Sequence, residues 1–500
     1  MRQILLALVV VAAACSEVDT HTGSAVHQTT SSTTTPIITV APAPAQTTVT
    51  PGPSAPLSTA PPDSEESIAD SLFPALGTDD LDVQTYDVRI RYDPATRIIE
   101  ADVMITVLVF GPRDRIVFDA EGMFVDAVIV DGVAAEFALV DEELTIRPAV
   151  PVTSAQPVSI GISYTDGAGS LESPVGLSVG WFATPTGSYV LNEPDGAHSW
   201  LPSNDHPSDK ATWRFELTVP TGVTAVANGE LVEQRSVPDW DTWVWEQREP
   251  MATYLIQVLT GDYAILDGGV VGNIPIVNVA LAGDVERMAP YFELTDDLVA
   301  FFEPMFGPYP LDRYGLAFTE SFSGLAMETQ GRSLFSRDDF PGGIPGAIEH
   351  VLLAHELAHQ WFGDAVTPAD WADLWLNESF ASYAQWLWLD HVGLVPLETL
   401  AQRTLMLRQD FVESTAEPTV GNLFGFERYD GGAVVLHALR QEIGDEAFFT
   451  LLQRWVAEND GTSKRTADFT ALAAEVAGRD LIAFFDTWLF AEDVPDEYPG

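Results

Sequence analysis

The chain has a single cysteine, Cys15, so no intramolecular disulfide can brace it. Basic residues are also scarce: 23 lysines and arginines stand against 74 aspartates and glutamates, a formal charge of -51. A surface so acidic repels phosphate backbones and anionic headgroups, and nucleic acid is excluded as an expected partner. Lysine occurs only at Lys210 and Lys464. An acid-rich, lysine-poor surface suits work in high salt, where screening relieves self-repulsion, and fits a biased genome composition equally well. The apolar run from Ile4 to Ala14 is too short to span a bilayer.

That run follows Met1 and Arg2 and ends in small residues at Cys15, the n-region, h-region and exit of a secretory signal. The position of Cys15 resembles a bacterial lipobox, with Ala12 where such signals more often carry leucine. Residues 1–15 are therefore expected to be a lipoprotein-type signal with Cys15 lipidated, which would place the mature chain outside the cytoplasm, anchored to a membrane. The alternative is an ordinary secretory signal with Cys15 incidental. Residues 16–70 are rich in Thr, Ser, Pro and Ala, as in Thr29-Thr30-Ser31-Ser32 and Ala41-Pro42-Ala43-Pro44. They bury too little apolar area to offset their ordering entropy, which predicts an extended tether.

Some 500 residues are too many for one compact core, and the part beyond the tether suits two or three domains. Between about 71 and 266, short alternating runs such as Tyr86-Asp87-Val88-Arg89-Ile90-Arg91-Tyr92 and Arg214-Phe215-Glu216-Leu217-Thr218-Val219 predict an antiparallel β-domain without long helices. From 267 to 500 the period changes, and helices are expected at about 346–362, 377–391, 396–413 and 431–442. The fold class is thus α+β and multidomain, a β-domain followed by a mainly helical domain.

The chemistry concentrates in His355-Glu356-Leu357-Ala358-His359. Residues four apart share a helix face, so His355 and His359 can offer two imidazoles to one cation while Glu356 points at the adjoining solvent position. Glu378 follows 19 residues after His359, at the start of another helical pattern, and supplies a third ligand. Two histidines, one carboxylate and an open position suit one catalytic zinc ion per chain, with Glu356 as general base. Two hydrogen-bonded histidines and a salt-bridged glutamate without metal are what the bare motif would otherwise describe.

With its flanks, Gln360-Trp361-Phe362-Gly363-Asp364, Val366-Thr367-Pro368, Trp371 and Trp375-Leu376-Asn377-Glu378, the segment closely resembles the M1 family of gluzincin aminopeptidases. The likeness extends through Trp200-Leu201-Pro202-Ser203-Asn204-Asp205-His206-Pro207 upstream and Phe484-Phe485-Asp486-Thr487-Trp488-Leu489 downstream. It implies an N-terminal β-domain, a thermolysin-like zinc peptidase domain and peptide substrates with a free N-terminus. It also implies three further roles. Glu328, in Gly324-Leu325-Ala326-Met327-Glu328-Thr329-Gln330, matches the family's amine-binding glutamate, with Thr329 in place of the usual asparagine and one extra residue in the loop. Glu193, in Asn192-Glu193-Pro194, matches a second amine ligand. Tyr429, in Arg428-Tyr429-Asp430-Gly431-Gly432-Ala433, matches the tyrosine that steadies the tetrahedral intermediate.

His350, His391 and His437 are read as ordinary core or surface residues. Asp373 is a candidate to orient a ligand histidine through its ring N–H, or only a charge at a helix N-terminus. Larger relatives carry a C-terminal helical domain over the site; the chain continues only about 120 residues past Glu378, so a short form without that lid is expected. Two rivals to an aminopeptidase share the metal site: a zinc endopeptidase, which has no need of two amine-binding carboxylates, and a non-catalytic surface protein that binds peptides.

Overall fold

A computed structural model describes residues 70–153, 156–320 and 326–500. The signal and Cys15, the tether up to residue 69, and Gly324 and Leu325 lie outside the described residues. Among the described residues no helix is long and apolar enough to cross a membrane.

The first half is built on an eight-stranded sheet in the order Glu230–Val237, Trp240–Met251, Ala211–Pro220, Leu81–Asp93, Ile98–Val109, Val158–Gly167, Phe124–Val130, Val133–Ala134. Its pairs are antiparallel except that Leu81–Asp93 runs parallel to Ala211–Pro220. The alternation seen in the sequence becomes two faces: Ile99, Ala101, Val103, Ile105, Val107 and Val109 are buried, while Glu100, Asp102 and Met104 between them are exposed. A second sheet orders Thr224–Ala227, Val258–Gly261, Ser188–Leu191, Ser178–Ala183 and Ser170–Glu172. Its strand Ser188–Leu191 is buried along its whole length and delivers Asn192 and Glu193 toward the second half.

The division expected at 266 falls inside the strand Tyr263–Val271, which opens a third, five-stranded sheet. Its order is Tyr263–Val271, Ile274–Leu281, Leu316–Thr319, Ser333–Ser336, Ala326–Met327. This sheet was not read from the sequence, because Leu316–Thr319 and Ser333–Ser336 are four residues long and buried on both faces, which leaves no alternation to see. Around it lie α1 (Val285–Phe292), α2 (Thr295–Phe306), α3 (Ala347–Ala358), α4 (Trp375–His391), α5 (Leu397–Arg408), α6 (Asp430–Ile443), α7 (Asp445–Asn459), α8 (Thr466–Ala477) and α9 (Ile482–Trp488).

Two of the expected helices stop early. α3 ends at Ala358 and not at 362, because the amides of Asp364, Ala365 and Val366 reach back five residues to His359, Gln360 and Trp361, and Gly363 takes φ +134°. α5 ends at Arg408 and not at 413. Its buried guanidinium leaves the helix for the carbonyls of Gly431 and Trp488 and the carboxylate of Glu427.

Helix α4 is buried on every side from Trp375 to Leu389, as a helix at the centre of a domain must be. Each of its indole N–H groups has a partner: Trp375 donates to Thr466 Oγ1, Trp386 to Asp430 Oδ1 and Trp388 to His350 Nδ1. Where α4 meets α6 the backbones come so close that only glycine fits at 432, since a Cβ there would lie 1.7 Å from Ser379 Oγ. That hydroxyl donates to the carbonyl of Arg428 at 2.6 Å, joining the residue after Glu378 to the residue before Tyr429. The two halves share apolar surface: Leu281, Ala317, Met327, Leu334, Trp371, Leu374 and Leu423 pack into the core of the β-domain.

Gly432→Ala should force α4 and α6 apart and destabilise the protein by about 1–3 kcal/mol, the usual cost of overpacking a core. Urea unfolding checks this, and Ser379→Gly combined with Gly432→Ala should recover part of the loss.

Candidate active site and metal centre

His355 occupies the last turn of α3, and His359 follows as its C-cap in still helical geometry, φ -58° and ψ -26°. The expected four-residue spacing therefore survives the early helix end, and the two rings lie 4.7 Å apart between centroids. Glu378, in the first turn of α4, meets both: its Oε2 is 3.1 Å from His355 Nε2 and 3.5 Å from His359 Nε2.

The far side of each ring sets the tautomer. His355 Nδ1–H donates to Gln385 Oε1 at 3.2 Å, and His359 Nδ1–H donates to the carbonyl of Phe362 at 3.1 Å. Both Nε2 atoms are thereby turned to the same point beside Glu378 Oε2, where a cation that displaces their protons would meet two imidazole nitrogens. Asp373 does not take this part, which corrects one of the two readings of that residue. Its carboxylate accepts from the amide and hydroxyl of Thr466 at the start of α8, where those donors have no helical partner. Gln385 was missed, although a residue seven positions after Glu378 returns to the same helix face and could have been found by that spacing.

Around this centre the structure gathers three more carboxylates. Glu356 is buried in α3, and ligating atoms of Glu328, Glu356 and His359 all lie within 4.8 Å of one another. Glu328 follows the edge strand Ala326–Met327, and Gln360 pins it: the amide of Gln360 donates to the Glu328 carbonyl at 3.1 Å, and its oxygen accepts from Gly331 N at 2.8 Å. Gln360 also escaped the sequence reading as a site residue. Glu193 arrives from the β-domain, steadied through Asn192, which accepts from Trp200 Nε1 and donates to the Ile256 carbonyl. Tyr429, just ahead of α6, lies with its ring nearly parallel to that of His355 at 6.1 Å.

The electrostatics of this chamber are those of concentrated, dehydrated negative charge. Burial first, with repulsion from Glu328 and Glu378 added and His359 pulling the other way, pushes the carboxyls of Glu193 and Glu356 well above the usual range. Burial raises Glu328 too, against the opposing pull of His359. Glu378 goes the other way: burial opposes it, but the hydrogen bonds from His355 and His359 bring it to about 2. His355 is lowered chiefly by burial, whereas at His359 the surrounding glutamates overcome burial and raise it well above 6.5. Burial and the nearby charge of Glu378 hold Tyr429 protonated far past 10.

One oxygen each of Glu193, Glu328 and Glu356 is buried with no hydrogen-bond partner among the described residues. Even protonated, a buried carboxyl oxygen left without a partner costs about 1–3 kcal/mol, so a purely structural cluster of histidines and glutamates does not account for these atoms. Cations do. The donor set of His355, His359 and Glu378, with both Nε2 atoms turned to one point, fits one zinc ion. Two histidines and a carboxylate from consecutive helices, with a further carboxylate beside them, are a donor set of the zinc-metallopeptidase class.

Comparison with known proteins leads to the same class. Residues 83–255 match the peptidase M1 N-terminal domain and residues 291–488 the peptidase family M1 domain. An M1 zinc metallopeptidase of Deinococcus radiodurans, a mutant bound to a Tyr-Ser-Ala substrate, superposes with a TM-score of 0.79 at 30% identity, covering 87% of this chain and 100% of that one. Aminopeptidase M1-D of Oryza sativa subsp. japonica is 25% identical over 446 residues, 82% of this chain and 50% of its own. Aminopeptidase N of Streptomyces lividans is 30% identical over 335 residues, 60% of this chain and 38% of its own. The chain thus spans half or less of the length of these curated relatives. It belongs to peptidase family M1.

Gln385→Leu removes the acceptor that orients His355 while keeping the bulk of the side chain. Zinc affinity, read by competition with a chromogenic chelator, should fall by about 10- to 100-fold, as is usual for loss of a partner behind a ligand.

Proposed function

We propose that the protein is a zinc-dependent aminopeptidase, which removes the N-terminal residue of peptides using Glu356 as general base. The observation that carries this reading is the pair Glu193 and Glu328, each with one buried, unpaired carboxylate oxygen beside the metal-ligand set. A peptide's α-ammonium satisfies both. Held there, it sets the first peptide bond over the metal ligands and leaves no room for residues upstream.

A zinc ion on His355, His359 and Glu378 supplies Lewis acidity toward the scissile carbonyl and toward water. Glu356 takes a proton from the attacking water and later gives it to the departing amine. The phenol of Tyr429, kept protonated by burial, donates to the oxyanion of the tetrahedral intermediate. Burial, and after it the charges of Glu328 and Glu378, raise Glu356; with a cation bound beside it, Glu356 would be the ionised base. We further infer, from the apolar run that ends at Cys15, that the enzyme acts outside the cytoplasm and is held at a membrane by a lipid on that cysteine.

N-acetylation of a substrate removes the ammonium and leaves the two glutamates unpaired, at a typical cost of about 3–5 kcal/mol, or roughly a hundredfold to a few thousandfold. kcat/KM for one peptide, free and acetylated, should differ by that factor in the wild type, and Glu328→Ala should close much of the gap. Equal wild-type rates on both, or cleavage starting at internal bonds, would replace the aminopeptidase with an endopeptidase.

Glu356→Gln should retain its zinc by metal analysis and lose about 100- to 10,000-fold in kcat, the range general-base catalysis contributes. Normal turnover in that variant would remove Glu356 from its role.

A further inference from the structure

The backbone that carries His359 leaves its helix at once. From Phe362 to Val366 the chain makes a tight turn, and the carbonyl of Phe362 at its start is what orients the His359 ring. The geometry of one metal ligand is therefore only as firm as that turn. Backbone bonds tie it to the end of α3, from the amide of Phe362 to the carbonyl of Ala358 at 3.1 Å and from that of Asp364 to the carbonyl of His359 at 2.9 Å, but the regular helix has already ended at Ala358.

Two side chains of the β-domain grip it from the other side. Lys210 Nζ donates to the carbonyl of Asp364 at 2.7 Å and to that of Ala365 at 3.1 Å. Tyr254 Oη donates to the Gly363 carbonyl at 3.4 Å and accepts from Asn377 Nδ2 at 3.3 Å, beside the ligand Glu378. Lys210 stands on a rigid base: its neighbour Asp209 accepts from the amide of Val83 in the strand Leu81–Asp93, and Lys210 itself leads into the strand Ala211–Pro220. Burial lowers the lysine to about 8, against the favourable charge of Asp364, so its ammonium carries a desolvation cost that the two short contacts help offset.

We propose that Lys210 is a positioning residue for the metal centre, which acts across the domain interface by clamping the 364–365 carbonyls and so fixing the ring of His359. Metal affinity in this protein is then partly a property of the β-domain, which contributes no metal ligand. The inference rests on the zinc reading above and adds a residue to it.

The test measures zinc affinity by chelator competition on the full folded chain, with kcat at saturating zinc and circular dichroism as companions. Lys210→Met should bind zinc about 10- to 100-fold more weakly, the scale of lost support behind a ligand. Its kcat should fall and its KM change little, since the lysine does not touch substrate. Lys210→Arg, which restores donors to both carbonyls, should recover affinity to within about threefold of the wild type. Lys464→Met, at the other lysine, should leave it unchanged. If Lys210→Met does not fold, Lys210→Gln replaces it, polar but too short for both carbonyls, with the same tenfold or larger loss expected.

Wild-type zinc affinity in a folded Lys210→Met or Lys210→Gln overturns the proposal, whatever happens to Tm. A wild type that binds zinc and turns over while these variants are unaffected would leave the metallopeptidase reading standing and remove only the role of Lys210. A wild type that binds no zinc would overturn both.

Discussion

Buried negative charge is the constraint on which the rest of this site depends. Glu193, Glu328, Glu356 and Glu378 lie within electrostatic reach of one another; the last three are buried, and Glu193 is half-buried with one oxygen fully enclosed. Each would cost several kcal/mol if left ionised and alone. Two histidines cannot balance four carboxylates. His359 pulls on all four, but only Glu378, hydrogen-bonded to both rings, is compensated enough to drop, to about 2, while the other three are raised. On the proposed reading the balance comes from outside, as a divalent ion and a substrate ammonium, and the unpaired oxygens mark where each sits.

A chamber of mutually repelling groups holds its shape only if its backbone is fixed by other means. Neutral amides and hydroxyls do much of this here. Gln360 ties the Glu328 loop to the metal helix, Gln385 orients His355, Asn192 secures the segment that bears Glu193, and Ser379 joins α4 to the segment before Tyr429. None of them adds charge to the chamber. The buried helix α4 and the close approach at Gly432 make the frame stiff enough for these bonds to be effective.

The legible parts of the sequence were those with a local signature. Period-two alternation marked the exposed-faced strands such as Ile98–Val109, and the four-residue spacing of His355 and His359 placed two ligands on one face whatever the rest of the chain did. Strands buried on both faces had no such signature, so the sheet that carries Glu328 was invisible. Asp373 shows the opposite failure: its position near Glu378 suggested service to a ligand histidine, but the orphan donors at the start of α8 claim it.

The sequence by itself determined the ligand types and the spacing of His355 and His359, the adjacent Glu356 and the excess of acid, because these follow from residue identity and helical period. Only the tertiary structure decided what those residues meet. Glu193 and Glu328 lie 135 positions apart, and Lys210 and Asp364 lie 154 apart. Whether such groups share a chamber depends on how two domains pack, and no local preference of the chain encodes it. The orientation of each histidine ring was settled at the same level, by a glutamine two turns away and a carbonyl in a turn, since a ring nitrogen's role depends on what its other nitrogen finds.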